Sequence, residues 1–338
     1  MASRIVPTLQ EILYRLSSAA TNASLKAPVS ENPGRFPVVV RPETRAFLEA
    51  QAEYLGGSIA GVAGAILDGV AMATQGKDGA VASLRGVSER FGILLKEHDL
   101  SAPAAAEALS DLGFSLADFA SQEALQLKLT SPTIRDVAVL FHISYNWLAG
   151  KSDQVFSAQT GTWYKAMTEA ADQLVSAKQS STRTEFSICI PESADLGITD
   201  DNQAEAKLPH FIPVLIRTQQ LPGQEVLTTY EVWEEGRWSY WRCREHIKLV
   251  IYFAQRLGTY VTGRTLTQNE YGLLSGGQVL PATILRRNAR VTWHPADYVT
   301  PNSPVSKEAG EWSYITSNGD YKADFSHFNQ LLTQGASI

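Results

Sequence analysis

The sequence predicts a multidomain chain: a helical N-terminal half that includes a short strand–helix–helix unit, followed by an α+β C-terminal domain. Three observations carry this. At 338 residues the chain exceeds one ordinary domain of ~100–200 residues. From Val87 to about Asp153 apolar residues recur at helical spacing, punctuated by Ser, Gly and Pro. Beyond Gly150 the pattern changes to alternating β-branched and aromatic runs.

The elements follow in order. Residues 1–34 read as an amphipathic helix and a linker. Leu9, Ile12, Leu13 and Leu16 stand at helical spacing with Glu11 and Arg15 between them, and NASLKAPVSENPGRF is rich in turn formers. A signal peptide would show an unbroken apolar stretch and a small-residue cleavage site instead. Residues 35–76 read as strand, helix, turn and helix, with Phe47, Leu48 and Leu55 on the first helix and Gly56-Gly57 as its stop. Residues 87–153 read as five helices, with Ser101 and Ser115 placed as N-caps, Gly113 as a C-cap and Pro132 in a first turn. Residues 155–335 form the α+β domain. They offer a helix at TWYKAMTEAADQLVSAK, strands at FSICIPES and IPVLIRTQ, and a hairpin of VLTTYEVW and RWSYWRCR about Glu235-Gly236. An amphipathic helix, EHIKLVIYFAQRLG, follows.

Composition narrows the function. Apolar residues make up 44% and charged residues 19%, and no run approaches the ~20 apolar residues that span a bilayer. The expectation is a globular, cytoplasmic protein with no membrane partner. Two cysteines, Cys189 and Cys243, are too few for a disulfide framework. A net charge of −6 argues against a protein that coats nucleic acid indiscriminately.

The charge is unevenly spread. Between Arg237 and Arg290 nine basic residues face two acidic ones, giving +7. Alternation on the second hairpin arm would put Trp238, Tyr240, Arg242 and Arg244 on one face. The following helix would carry Lys248, Tyr252 and Arg256 along one edge, and Arg286, Arg287 and Arg290 could join them. Guanidinium groups grip phosphates and aromatics stack bases, so this segment is a candidate phosphate or nucleic-acid surface. The other reading is internal pairing with the acidic run Glu225 to Glu235.

Catalytic signals are sparse. Cys243, His246 and His294 fall short of a four-ligand zinc set. LLSGGQ lacks the P-loop pattern, and Glu231, Glu234 and Glu235 read as solvated hairpin residues. No cofactor, metal or catalytic residue is expected.

The stretch TIRDVAVLFHISYNWLAGKSD places Ile134, Val137, Ala138, Leu140 and Phe141 on one helix, then Ile143-Ser144, Trp147-Leu148 and Gly150. With the helices before it, residues 88–153 resemble the Cro/CI-type (XRE) helix-turn-helix regulators. The resemblance implies that a third helix, residues 115–129, enters the major groove of DNA. Ser115, Ala117, Asp118, Ser121 and Gln122 would then reach bases, with Lys128 near the end. Residues 36–74 resemble a ribbon-helix-helix unit. Phe36, Val38 and Val40 on one strand face and Pro37, Val39 and Arg41 on the other suit a homodimer or higher homo-oligomer better than base reading. The expectation is a DNA-binding regulator of phage or bacterial repressor type, with a C-terminal ligand-sensing, oligomerisation or nucleic-acid-contacting domain. An effector or toxin of a phage-defence or toxin–antitoxin system, and a nucleic-acid-binding structural subunit, stay open beside it.

Overall fold

A computed structural model describes residues 39–55, 58–74, 79–158, 162–200, 202, 204, 207–288, 290–300 and 309–335. The helix and linker expected at 1–34, and Phe36 to Val38 of the expected strand, lie outside the described residues. Two compact units divide the chain, Met1–Ser83 and Leu84–Ile338.

In the first unit, helices α1 (Pro42–Leu55) and α2 (Ile59–Thr74) pack on each other. Proline opens α1, where its missing N–H costs no hydrogen bond. Leu48 and Ala52, one turn apart, are buried, whereas Phe47, Ile66 and Leu67 are exposed. Residues 39–41 form no strand, and Val39 is 99% exposed.

The division between the units falls inside α3 (Gly79–Glu97). After it come α4 (Ala102–Ala108), α5 (Gln122–Lys128), α6 (Ser131–Leu140) and α7 (Tyr145–Leu148). Side-chain caps set the starts: Ser101 accepts from the Ala104 N–H, Ser121 from Ala124 and Ser144 from Trp147. The single third helix expected over 115–129 is divided in two. Ser115 and Asp118 close a capping box around a 3-10 turn, Leu116–Phe119, and Ser121 then caps a separate seven-residue helix. Another 3-10 turn, Ser110–Leu112, ends at Gly113 with φ of 77°, a left-handed position that glycine adopts without a Cβ penalty. Phe91, Leu94, Leu109, Val137, Phe141, Trp147 and Leu148 fill the core of this stretch, and Leu140 is half-buried.

The rest is α+β. Helix α8 (Met167–Ser180) leads into β1 (Arg183–Pro191), β2 (His210–Gln220), β3 (Val226–Val232) and the short β4 (Gly236–Arg237). Helix α9 (Trp241–Arg256), β5 (Tyr260–Leu266), α10 (Gln268–Ser275) and α11 (Pro281–Leu285) follow. Helices α12 (Ala309–Ser317) and α13 (Lys322–Gly335) come last. The mixed sheet runs β3-β2-β1-β5, parallel only between β1 and β5, with β4 beside the start of β2.

The hairpin differs from expectation. It joins β2 to β3 through Leu221 to Glu225, where Pro222-Gly223 supplies the turn and Leu221 N–H donates to the Glu225 carbonyl. Of the expected second arm only Gly236–Arg237 pairs, and the chain is helical from Trp241.

Alternation along the strands separates two faces. Phe186, Ile188 and Leu215 point into the main core with Ala170 and Leu174 of α8, Ile247, Val250 and Ile251 of α9, Trp312 of α12 and Phe328 of α13. The opposite face carries Glu185, Ile216, Tyr230 and Arg264, and α4, α10 and α11 cover parts of it. The boundary expected near residue 154 falls inside this second unit, where Ser144 N–H donates to the Val155 carbonyl and Val155 N–H to Gly277.

Candidate anion-binding trough

The residues singled out in the sequence scatter. In the helical stretch Ser115, Ala117, Ser121 and Gln122 are exposed, but Ser115 and Ser121 serve as caps. Asp118 accepts from both the N–H and the hydroxyl of Ser115 at 2.8 and 2.9 Å, which holds its carboxyl below the usual range. Lys128 donates to the Gly113 carbonyl and lies 5.5 Å from the Phe114 ring centre. Residues 84–153 hold six basic and nine acidic side chains, an unfavourable balance for a surface facing phosphates.

The basic segment does not form one face. Trp238 is fully buried, its indole N–H on the Leu196 carbonyl. Arg244 and Lys248, both buried, converge on Glu311 of α12, with Arg244 at 2.8 Å. Burial pushes the Glu311 carboxyl up, but these two cations outweigh it and hold it below its ordinary value. Tyr240 is half-buried under Arg237, and Arg242 lies over Trp241. Arg256, Arg287 and Arg290 are exposed. The pairing is thus internal, with α12 supplying the anion. The hairpin's Glu231 pairs with Arg217 at 2.5 Å.

Arg286 leads to a different place. A pocket of about 450 Å³ is lined by His98, Asp99 and Ser101 with Glu225, Val226, Thr228, Tyr230 and Arg286. A second, of about 240 Å³, shares Thr228, Tyr230 and Arg286 and extends to Arg183, Glu185 and Arg264. Together they form a trough from the α3–α4 corner across β3, β2 and β1 to β5, a size that admits a small ligand of ~300–1,000 Å³ sites.

Its floor is charged and ordered. Arg264, 6% exposed, gives one nitrogen to Glu185 at 2.5 Å and another to the Leu285 carbonyl at 2.7 Å. The Thr262 hydroxyl also donates to Glu185, at 2.7 Å. The parallel register that sets Cys189 opposite Arg264 places these groups on one face. Arg264 Nε is buried without a hydrogen-bond partner among the described residues. Tyr230, 5% exposed, packs its ring against His98 at 5.9 Å. Burial pushes its phenol up to about 12, against the pull of Arg264 and Arg286, so it is a neutral donor at pH 7. Thr218 and Thr228 hydroxyls face each other at 3.5 Å.

One wall belongs to the helical stretch. Arg286 donates to the Glu97 carbonyl at 2.5 Å and pairs with Asp99 at 2.7 Å. That pair is half-exposed, a class worth about 0–1 kcal/mol. Beside it Ser101 donates to Glu225 at 3.0 Å, and Glu107 accepts from Gly223 N–H at 2.9 Å. His142 Nε2 lies 2.9 Å from Arg217.

Sequence reading found Arg286 alone among these. The available signal was the placement of Glu185 and Arg264 inside strand-forming runs, an uncommon place for charge. Among the described residues no group of three or more His, Cys, Asp or Glu is placed to hold a metal ion, and no helix is long and apolar enough to cross a membrane. No protein-family model, curated protein or solved structure matches the chain.

Proposed function

We propose that the chain is a regulatory protein in which the sheet-face trough senses a small anionic molecule and the helix-turn-helix-like stretch responds to it. The observation that carries this reading is the shared wall: His98, Asp99 and Ser101 line the same concavity as Tyr230 and Arg286. A ligand filling it touches both parts and stabilises their docked arrangement in proportion to RT ln(1 + [L]/Kd). Calorimetric titration with a panel of phosphate and carboxylate compounds tests it. The expected result is saturable binding that Tyr230→Phe weakens. No binding by any member would refute the reading.

In the same proposal the target of the helical stretch is DNA, met through exposed Ser115, Ala117 and Gln122. Its acidic balance then predicts weak non-specific affinity with a shallow salt slope. Oligonucleotide anisotropy against salt measures that slope, and a steep one would place the DNA contact elsewhere. The first unit is proposed to pair with a second copy, supported by the exposure of Phe47, Ile66 and Leu67. Sedimentation as a monomer at micromolar concentration would exclude it.

A further inference from the structure

Arg286 holds two positions at once. Its guanidinium lines the trough. It also caps the C-terminal end of α3, donating to the Glu97 and Lys96 carbonyls at 2.5 and 3.5 Å, while Asp99 neutralises it at 2.7 Å. A cation at that end of a helix is favourable in itself, and here it meets the Glu97 carbonyl, which no backbone N–H reaches among the described residues, whereas the Lys96 carbonyl already accepts from Asp99 N–H. Asp99, with a side chain 81% exposed, is an anion that water readily takes back.

Two donors on residues that line this concavity are unused, one of them buried. The Tyr230 hydroxyl has no hydrogen-bond partner among the described residues, and neither has the buried Nε of Arg264. Tyr230 comes from β3, Arg264 from β5, and Arg286 directly follows α11. Of the acidic side chains on the lining, Glu185 is held by Arg264 and Thr262, Glu225 accepts from the Ser101 hydroxyl, and Asp99 pairs with Arg286. The Tyr230 hydroxyl and the Arg286 guanidinium approach from different elements, with the Arg264 charge behind them, which suits the tetrahedral oxygens of a phosphate better than the two coplanar oxygens of a carboxylate.

Resting on the anion-sensing reading above, we infer that the trough takes the terminal phosphate of a phosphorylated small molecule, which draws Arg286 away from Asp99 and from the end of α3. Asp99 is the internal occupant that the phosphate replaces. The exchange substitutes a charge of about −1.5 to −2 for one of −1. Binding therefore uncaps α3 at the corner that Ser101 and Glu107 hold to the hairpin, and ligand and corner are coupled in both directions.

The test titrates the full chain with inorganic phosphate, pyrophosphate and succinate at matched ionic strength, and follows amide hydrogen exchange at His98 to Leu100. Pyrophosphate is expected to bind and to speed that exchange. Asp99→Asn, a surface change that keeps the fold, is expected to tighten pyrophosphate binding about two- to fivefold by removing the competitor. Tyr230→Phe is expected to weaken it about tenfold or more through the lost bond to a charged group. Pyrophosphate affinity and exchange that ignore Asp99→Asn would overturn the exchange of Arg286 and leave the anion-sensing reading standing. Succinate bound in preference to phosphate would overturn the ligand class alone. Binding of none of the three would overturn both.

Discussion

At the residue scale, the strongest commitments are charges taken out of water. Lys248 is fully buried, and Arg244 beside it is 5% exposed. Both pair with Glu311. Removing Glu311 takes away an anion that two buried cations share, so Glu311→Ala is expected to cost up to about 3–5 kcal/mol, read from urea midpoints. Replacing Lys248 with Met is expected to cost less, since Arg244 still balances Glu311. The acid limb follows from the depressed Glu311 carboxyl. Its stability is present above the unfolded carboxylate value of about 4.5 and is lost as pH falls through the lower folded value. Histidine gives the opposite case. Burial holds His98 at about 4 against an ordinary 6.5, with the Leu94 carbonyl opposing and Arg286 assisting. The folded state then refuses a proton that the unfolded chain accepts. Stability is full above pH 6.5 and falls by up to about 3 kcal/mol as pH drops to 4. Thermal melts across that range on wild type and His98→Leu check it; the variant's curve should be flatter by this contribution.

At the element scale, what can be read locally was legible and what depends on sheet order was not. Ser101 caps α4, Gly113 takes a left-handed turn and Pro132 opens α6, each where the residue's own chemistry put it. The third helix was misjudged because its apolar periodicity outweighed two capping signals inside it, Ser115 with Asp118 and then Ser121. Ser121→Ala is expected to cost about 1 kcal/mol and to loosen α5 alone, measurable as faster amide exchange at Ala124 and Leu125. Trp147→Ala, at 3% exposure, is expected to cost about 3–5 kcal/mol, because the buried ring would leave a cavity and Arg90 would lose the ring it packs over. The hairpin was misplaced for a comparable reason. Glu235-Gly236 and Pro222-Gly223 are both turn signals, and only pairing of β2 with β3 over Val214 to Gln220 decides between them. The trough was almost invisible. Glu185 and Arg264 lie far apart in sequence, and nothing local states that β1 and β5 are neighbours.

At the scale of the whole molecule, the second unit behaves as one body because its helical stretch covers an open strand edge. β3 ends the sheet, and His98, His142 and α4 pack along it. Expressed without residues 84–154, the α+β part would present that edge to solvent, a template for pairing with other chains. Residues 155–338 alone are therefore expected to associate or precipitate, whereas 84–338 stays dispersed. Light scattering on the two fragments at equal concentration compares them directly, and a monodisperse 155–338 would show that the helical cover is dispensable.

The cap on α3 has a consequence in time. Arg286 and Glu97 are 189 positions apart in the chain. A ribosome adding about 5–20 residues per second needs on the order of 10–40 s to travel between them. For that interval the Glu97 carbonyl lacks its Arg286 donor, and the side of β1 that pairs with β5 stays open until Tyr260–Leu266 has been made. Contacts of such span close slowly. The helical stretch thus cannot reach its finished state before residue 286 has been made, and nascent chains halted before residue 286 should be cut by protease near His98 more readily than the released protein.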